Sequence, residues 1–370
     1  DMVATNLGSG TKTYNLNFCE YINKYSFKEK IFIFITKDYL QNLNLKNNPN
    51  INYIIKSSFL KNIFFRIIWM QLILPFELKL LKVNLLFSPM NMGPLFLKFF
   101  NIKFVLAVHS NLPWVYFSKM PGNIFRNYLT KLLMEFSVKA CDKLIVDSNF
   151  AKDEITNLLK IKKNKIFPIY LGIDKKYLEN SENNFYIKSF DYDNYILSVL
   201  SCVKYHNILN LLKSFKLLKT EKNIKLRFIF VLQILDKKYF NEIIKFVESN
   251  FNKNEVIFFH NLDNKYLINL YKRAKLYIFS SYCEVFGLTS LEAMSQGCPV
   301  LISNRSALPE INLDAADYFD PDNEQEIKNK IYKMIHDTSH KNEILKKADT
   351  HFKKFSWDKT VSETIKILSN

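Results

Sequence analysis

Glycine is scarce, with seven in 370 residues, and only Gly8 and Gly10, flanking Ser9, stand two apart. A dinucleotide fingerprint needs a third glycine, but Thr13 falls there. It also needs an acidic residue ending a second strand, and Glu29 comes too early, before the run IFIFI. A lone G-x-G excludes little and supports less. The five cysteines (Cys19, Cys141, Cys202, Cys283 and Cys298) are odd in number and scattered, with no C-x-x-C pair. That spacing excludes a disulfide frame and a zinc ribbon, and reads as reduced core thiols in a cytoplasmic protein. Long uninterrupted apolar runs are also missing. The longest, 63–81, is broken by Arg66, Glu77 and Lys79, short of the 18 or so apolar residues that a spanning helix needs. No repeat of fixed period and no low-complexity tract occurs.

Acidic residues are few as well: 35 against 52 lysines and arginines, a net charge of +17. Residues 1–180 hold 25 basic against 12 acidic side chains, a net of +13, which leaves +4 for the rest. A basic half calls for an anionic partner: nucleic acid, a phospholipid surface or a phosphorylated substrate. Lysine-rich usage with little glycine is also what base-composition bias produces without any function. Nucleic acid has charge but no motif behind it, so we expect no nucleic-acid partner.

What is present is alternation. Short runs rich in β-branched and aromatic residues (31–35, 51–55, 83–88, 103–109, 143–148, 165–170, then 195–199, 225–232, 255–260, 275–280 and 298–303) alternate with helical patterns near 124–140, 207–219, 237–250 and 263–274. This is the mark of βαβ units and parallel sheets, and 370 residues exceed what a single core usually fills. An α/β chain of two Rossmann-like domains follows. We place the first at 1–178, a polar, Asn-rich linker at 179–194, the second at 195–352, and a crossover helix at 353–370 that packs back across the linker. The chain begins at Asp1, where an initiator Met would stand, so the first strand is expected to be shortened or absent.

The stretch SSYCEVFGLTSLEAMSQGCPVLISN (280–304) carries the chemistry. If a helix starts near Gly287, Glu292 sits about 7 Å along its axis and Glu284 lies in the loop before it. Two carboxylates about 10 Å apart cannot share a proton, but they can hold opposite ends of one elongated ligand. Between them the free amides of Phe286, Gly287, Leu288 and Thr289 form a helix N-terminus open to an anion. The order carboxylate, anion site, carboxylate matches sugar, diphosphate, ribose. By spacing alone, however, two glutamates eight apart are more often solvated helix positions.

The surrounding residues tip the balance. EVFGLTSLEAMSQGCPVLISNRSALPEI resembles, nearly position by position, the signature of the retaining glycosyltransferases of family 4, which have the GT-B architecture of two facing Rossmann-like domains. The resemblance extends to YILSVLSCVKYHNILNLLKSF (195–215), DAADYFDP (314–321), FSWDKT (355–360), VDSNFAKDEI and PIYLGID, and NLGSGTKTY (6–14) is similar to the family's glycine-rich loop facing the donor. The resemblance implies that Glu284 contacts sugar hydroxyls, that Glu292 contacts ribose, and that the amides of Phe286 to Leu288 hold sugar and diphosphate. Gly8, Ser9, Gly10 and Thr289 join the donor site. His109, ending the strand in LAVHSNLPW, matches the family's active-site histidine. A lone histidine is more often structural, but the carboxyl end of a parallel strand is where ligands bind. One departure stands out: Ser201 and His206 occupy the positions of the family's basic pair beside the diphosphate. We expect His206 to supply the missing charge, with Lys204 the alternative if the turn brings it inward.

The resemblance thus implies a metal-independent, cofactor-free transfer of a sugar from a nucleotide diphosphate donor to a glycan or lipid-linked glycan, in cell-surface polysaccharide or lipopolysaccharide synthesis. The basic, aromatic stretches 60–81 and 119–143 point to an anionic membrane surface, on the cytoplasmic face of the inner membrane, through the first domain. Two rivals predict different outcomes. Another chemistry on this fold, such as nucleotide-sugar epimerisation, needs no acceptor, and a non-catalytic nucleotide-sugar or lipid-binding relative binds without transfer or donor hydrolysis.

Overall fold

In the computed structural model of the protein, residues 1–3, 9–41, 43, 48–179, 194–260 and 262–369 are described. Most of the expected linker, 180–193, and Gly8 lie outside them. Among the described residues the strands are β1 Ile31–Thr36, β2 Ile51–Lys56, β3 Leu85–Ser88, β4 Lys103–Val108, β5 Lys143–Val146, β6 Ile166–Pro168, β7 Tyr195–Cys202, β8 Arg227–Ile234, β9 Val256–His260, β10 Leu276–Phe279, β11 Val300–Ser303 and β12 Asp317–Phe319. Every pairing between them is parallel. Buried on both faces, such strands read as continuous apolar runs, as IFIFIT and LYIF do. β12, only three residues and not a continuous apolar run (Asp317–Phe319), is not read as a strand from the sequence.

The chain divides into two compact units: Asp1–Asn111 with Tyr128–Gly172 and Ser356–Asn370, and Leu112–Asn127 with Ile173–Phe355. Three details differ from the boundaries expected from the sequence. The first unit ends at 172 rather than 178, the returning segment starts at 356 rather than 353, and 112–127 groups with the second unit. There the Tyr116 ring stacks on Tyr282 with centroids 6.2 Å apart, and the Lys119 ammonium lies 5.2 Å from the Tyr282 ring centre. Side-chain contacts of this kind are invisible to a reading based on strand periodicity.

In the first unit β1 pairs with β2, and β3-β4-β5-β6 form a second sheet. Residues 1–3 join the two: the Met2 amide donates to the Phe34 carbonyl at 2.9 Å, and the Asp1 ammonium donates to the Phe87 carbonyl at 2.6 Å. The terminal helix Trp357–Ser369 belongs to this unit, where Ile367 and Leu368 pack on the core of Val105, Ala107, Ile145 and Ile169. Lys143 caps it by donating to the Ile367 carbonyl at 2.9 Å, charge placed where the helix dipole favours it. The apolar stretch 63–81 folds as a helix Ile63–Ile68, a wide π turn Trp69–Ile73 and a helix Leu74–Leu80. Pro75, which has no N–H to give, accounts for the widened turn.

The second unit holds one six-stranded sheet in the order β12-β11-β10-β7-β8-β9. Read from β9, this is the doubly wound order 3-2-1-4-5-6, whose connections reverse direction between β7 and β10. Open parallel sheets bind ligands outside the carboxyl ends of the strands at that reversal. The fold therefore singles out the residues just after Cys202 and just after Phe279.

Candidate active site

β7 is followed by a tight 3-10 turn Lys204–His206, then by Asn207 in the left-handed conformation (φ 55°) and the helix Ile208–Lys222. β10 is followed by a loop that ends at Gly287, where the helix Leu288–Ser295 begins. Gly287 has φ +90°, and a Cβ there would lie 2.6 Å from Leu308 Cδ2, so both backbone and space require glycine. The first amides of this helix, Leu288 and Thr289 among them, have no carbonyl behind them within the helix and present a partial positive charge. The Thr289 hydroxyl is engaged, accepting from the Tyr277 hydroxyl at 2.7 Å. Phe286 is buried, its ring edge-on to Phe355 at 5.8 Å.

The switch point brings His206 and Glu284 together. His206 Nε2 lies 3.2 Å from Glu284 Oε1, and His206 Nδ1 lies 2.6 Å from the Ser201 carbonyl. The ring is buried, edge-on to Tyr205. The sequence leads us to expect His206 to supply charge beside a diphosphate; in the structure both of its ring nitrogens face oxygen partners of the protein itself. Ser201 contributes its carbonyl to the ring, whereas Lys204 in the same turn is exposed. Glu284 is held from the other side, its amide donating to Ser306 Oγ at 2.9 Å and its carbonyl accepting from the Ala307 amide at 3.2 Å.

Glu292 lies deeper. Its carboxylate accepts from the Tyr271 hydroxyl at 3.3 Å. Burial raises its pKa to about 7, against the counter-pull of Lys176 and of hydrogen bonds from Tyr271 and Tyr177. The two tyrosine hydroxyls are pushed well above their ordinary range, first by burial and then by the Glu292 charge, so they remain donors. Sequence reasoning missed this pair, since nothing in the spacing of 177, 271 and 292 links them.

The expected glycine-rich loop is not a loop where it is described. Ser9–Ile22 is a helix, with Gly10 in its first turn and, among the described residues outside its own helix backbone and neighbours, no atom within 4 Å of the place a Cβ would take. Neither strain nor crowding demands glycine at position 10.

His109 belongs to the first unit, directly after β4. Its amide donates to Asn91 Oδ1 at 2.6 Å, and the Asn91 amide donates back to the Ala107 carbonyl at 3.1 Å, a bracket that fixes the strand end. Asn91 tolerates its φ of 63° as asparagine often does. Nearby, the Asn111 amide donates to Glu154, whose carboxyl burial raises to about 7. Neither Asn91 nor Glu154 carried a signal in the sequence. Among the described residues no group of three or more His, Cys, Asp or Glu side chains could hold a metal ion.

One unit thus carries a doubly wound parallel sheet with an acid, a helix N-terminus and a second acid at its switch point, and the other unit is also built on parallel sheets. Residues 8–177 match the model of Glycosyltransferase Family 4 and residues 180–351 that of Glycosyl transferases group 1. The chain belongs to the family 4 (group 1) glycosyltransferases. It is 26% identical over 220 residues to the O-antigen chain mannosyltransferase RfbU of Salmonella typhimurium, covering 60% of this chain and 57% of that one. It is 26% identical over 242 residues to O-antigen chain mannosyltransferase B of Escherichia coli, covering 64% and 63%. The chain thus spans about three fifths of the length of these relatives. Among solved structures, a glycosyltransferase from Rickettsia africae superposes with a TM-score of 0.73 at 19% identity over 99% of this chain and 96% of that one. HepE of Anabaena, in complex with UDP and glucose, does so with 0.73 at 14% identity, over 99% and 98%. At these identities the likeness shows the fold, GT-B.

Proposed function

We propose that the protein transfers a sugar from a nucleotide diphosphate donor to a hydroxyl of a glycan or lipid-linked glycan in cell-surface polysaccharide or lipopolysaccharide synthesis. Retention at the anomeric carbon and independence of metal belong to this reading. The observation that carries it is the pairing of Glu284 with His206 at the switch point, one turn from the Gly287 helix terminus. In this reading Glu284 takes sugar hydroxyls, the amides after Gly287 and Lys204 take the diphosphate, and Glu292 takes the ribose. Fixed dipoles aimed at the departing diphosphate stabilise charge as it develops, usually the largest contribution to such catalysis. Because the O-antigen relatives are named as mannosyltransferases, a nucleotide-linked mannose is the first donor to try.

The partner surface belongs to the same proposal. No helix among the described residues is long and apolar enough to cross a membrane. In the first unit, however, the segment 63–80 leaves Phe64, Leu72, Phe76 and Leu80 exposed, and neighbouring Phe99 is 86% exposed. Phe76 packs on Phe100 at 5.1 Å, with Lys79 over the Phe100 ring at 5.9 Å, so aromatic and basic groups share one patch. Such a patch suits peripheral docking on an anionic membrane, for which we propose the cytoplasmic face.

A thermal-shift screen over UDP, GDP, dTDP and ADP, followed by turnover of the matching mannose and glucose donors with and without EDTA, tests the enzyme. One nucleotide at 100 times its Kd should stabilise the fold by about 2.7 kcal/mol. Turnover should survive EDTA and give the donor's anomeric configuration in the product. No shift with any nucleotide sinks the reading. Product from donor alone, without acceptor or hydrolysis, selects an epimerase instead.

A further inference from the structure

β4 and β5 are neighbours in register, with Val108 opposite Val146, so the next residue of each strand, His109 and Asp147, emerges at the same sheet end. There His109 Nδ1 meets both oxygens of Asp147, at 2.9 and 3.1 Å. Both side chains are almost fully buried, at 5% and 2% exposure. A buried carboxylate is costly unless it is hydrogen-bonded, and the imidazole N–H is the partner the structure provides. The Tyr14 ring lies against the imidazole with centroids 4.2 Å apart, holding its plane. The opposite nitrogen, His109 Nε2, is buried and has no hydrogen-bond partner among the described residues.

A carboxylate can only accept, so it dictates the tautomer: Nδ1 carries the proton and Nε2 keeps its lone pair. An unpaired buried acceptor is unfavourable unless a ligand completes it. We propose that Asp147 is a positioning residue that locks His109, the histidine matching the family's active-site one, in the Nδ1–H form and so leaves Nε2 as a hydrogen-bond acceptor for a ligand hydroxyl. This rests on the transferase reading for the identity of the ligand, but not for the tautomer. The chemistry at Nε2 selects a hydroxyl, which has a proton to give, over a phosphate oxygen, which has none. Asp147 does not touch the ligand and acts through the ring it holds.

The test needs no substrate at first. In protein labelled with 15N-histidine, the His109 signals (assigned by their loss in His109→Ala), followed to high pH until they no longer change, should report the Nδ1–H tautomer. Asp147→Asn is nearly isosteric and should move the ring toward the commoner Nε2–H form without a large fall in Tm. An Nε2–H ring in the unmodified protein, or an unchanged tautomer in Asp147→Asn, overturns the proposal. With an active donor in hand, Asp147→Asn should lower turnover about 10- to 100-fold, as loss of a partner orienting a histidine ligand does. The double variant with His109→Ala should then be no slower than His109→Ala alone, and additive losses count against the proposal. If no donor turns over at all, the transferase reading fails while the tautomer result still decides Asp147.

Discussion

Glu292 carries the sharpest consequence at the scale of single residues. Its carboxyl titrates near 7 in the folded chain, against about 4.3 for an unperturbed glutamate. Two effects with distinct signs follow. The folded state binds the extra proton between those values, so this group adds stability that is complete below about 4.3 and disappears as pH rises through 7. The melting temperature of the free protein should accordingly lose an increment over that interval that Glu292→Gln does not show. Ribose hydroxyls, by contrast, donate best to the carboxylate, so nucleoside diphosphate affinity should weaken as pH falls through 7, with Glu292→Gln giving a flat profile. Glu292→Ala should cost about 1–3 kcal/mol of that affinity, measured by calorimetry. Beside it, Lys204 and His206 divide their tasks. Lys204→Ala should weaken diphosphate binding about tenfold and lower its salt dependence. His206→Ala should spare binding and reduce turnover, because it leaves Glu284 without its partner. Equal effects of the two substitutions on affinity would remove Lys204 from the diphosphate.

At the scale of elements, the helix Leu288–Ser295 depends on one residue for its start. Gly287→Ala forces a Cβ into the left-handed conformation, at about 1–2 kcal/mol, and against Leu308 Cδ2. For a unit of this size about 2–4 °C of melting temperature goes with each kcal/mol, so a fall of several degrees is expected. If the amides behind that turn hold the diphosphate, nucleotide affinity should drop by more than the same substitution at Gly10, where a Cβ meets nothing. A Gly287→Ala variant that keeps full affinity would show that the helix terminus is only structural.

The whole molecule carries its charge unevenly, and the exposed aromatic patch of the first unit lies in the half with a net charge of +13. Attraction to an anionic surface is worth about 1 kcal/mol per nearby cation and is screened within a Debye length. Co-sedimentation should therefore occur with vesicles containing phosphatidylglycerol, and not with neutral ones, at low salt. It should weaken at high salt, and it should fall about tenfold in a Phe76→Ser/Phe99→Ser variant. Equal binding to both vesicle types, or to neither, would remove the membrane from the account.

Much of this was legible in the chain itself, because buried parallel strands must be apolar along their whole length and helices between them must show a 3.6-residue period. Hence IFIFI, LYIF and VLIS declared themselves, as did a family signature running from Glu284 through Gly287 to Glu292. Local pattern could not show which strands become neighbours, and the site depends on that. Only the order β12-β11-β10-β7-β8-β9 makes the ends of β7 and β10 adjacent. That adjacency makes His206 the partner of Glu284, 78 residues away. In the same way only the registry of Val108 with Val146 joins His109 to Asp147, and only packing brings Tyr177 and Tyr271 onto Glu292. Composition and periodicity determine which segments are buried, since burial is a property of each side chain. Pairings between distant segments, and with them the hydrogen bond that fixes the His109 ring and the burial that raises the Glu292 pKa, are decided by tertiary structure, because hydrogen bonding and desolvation depend on what packs around a group.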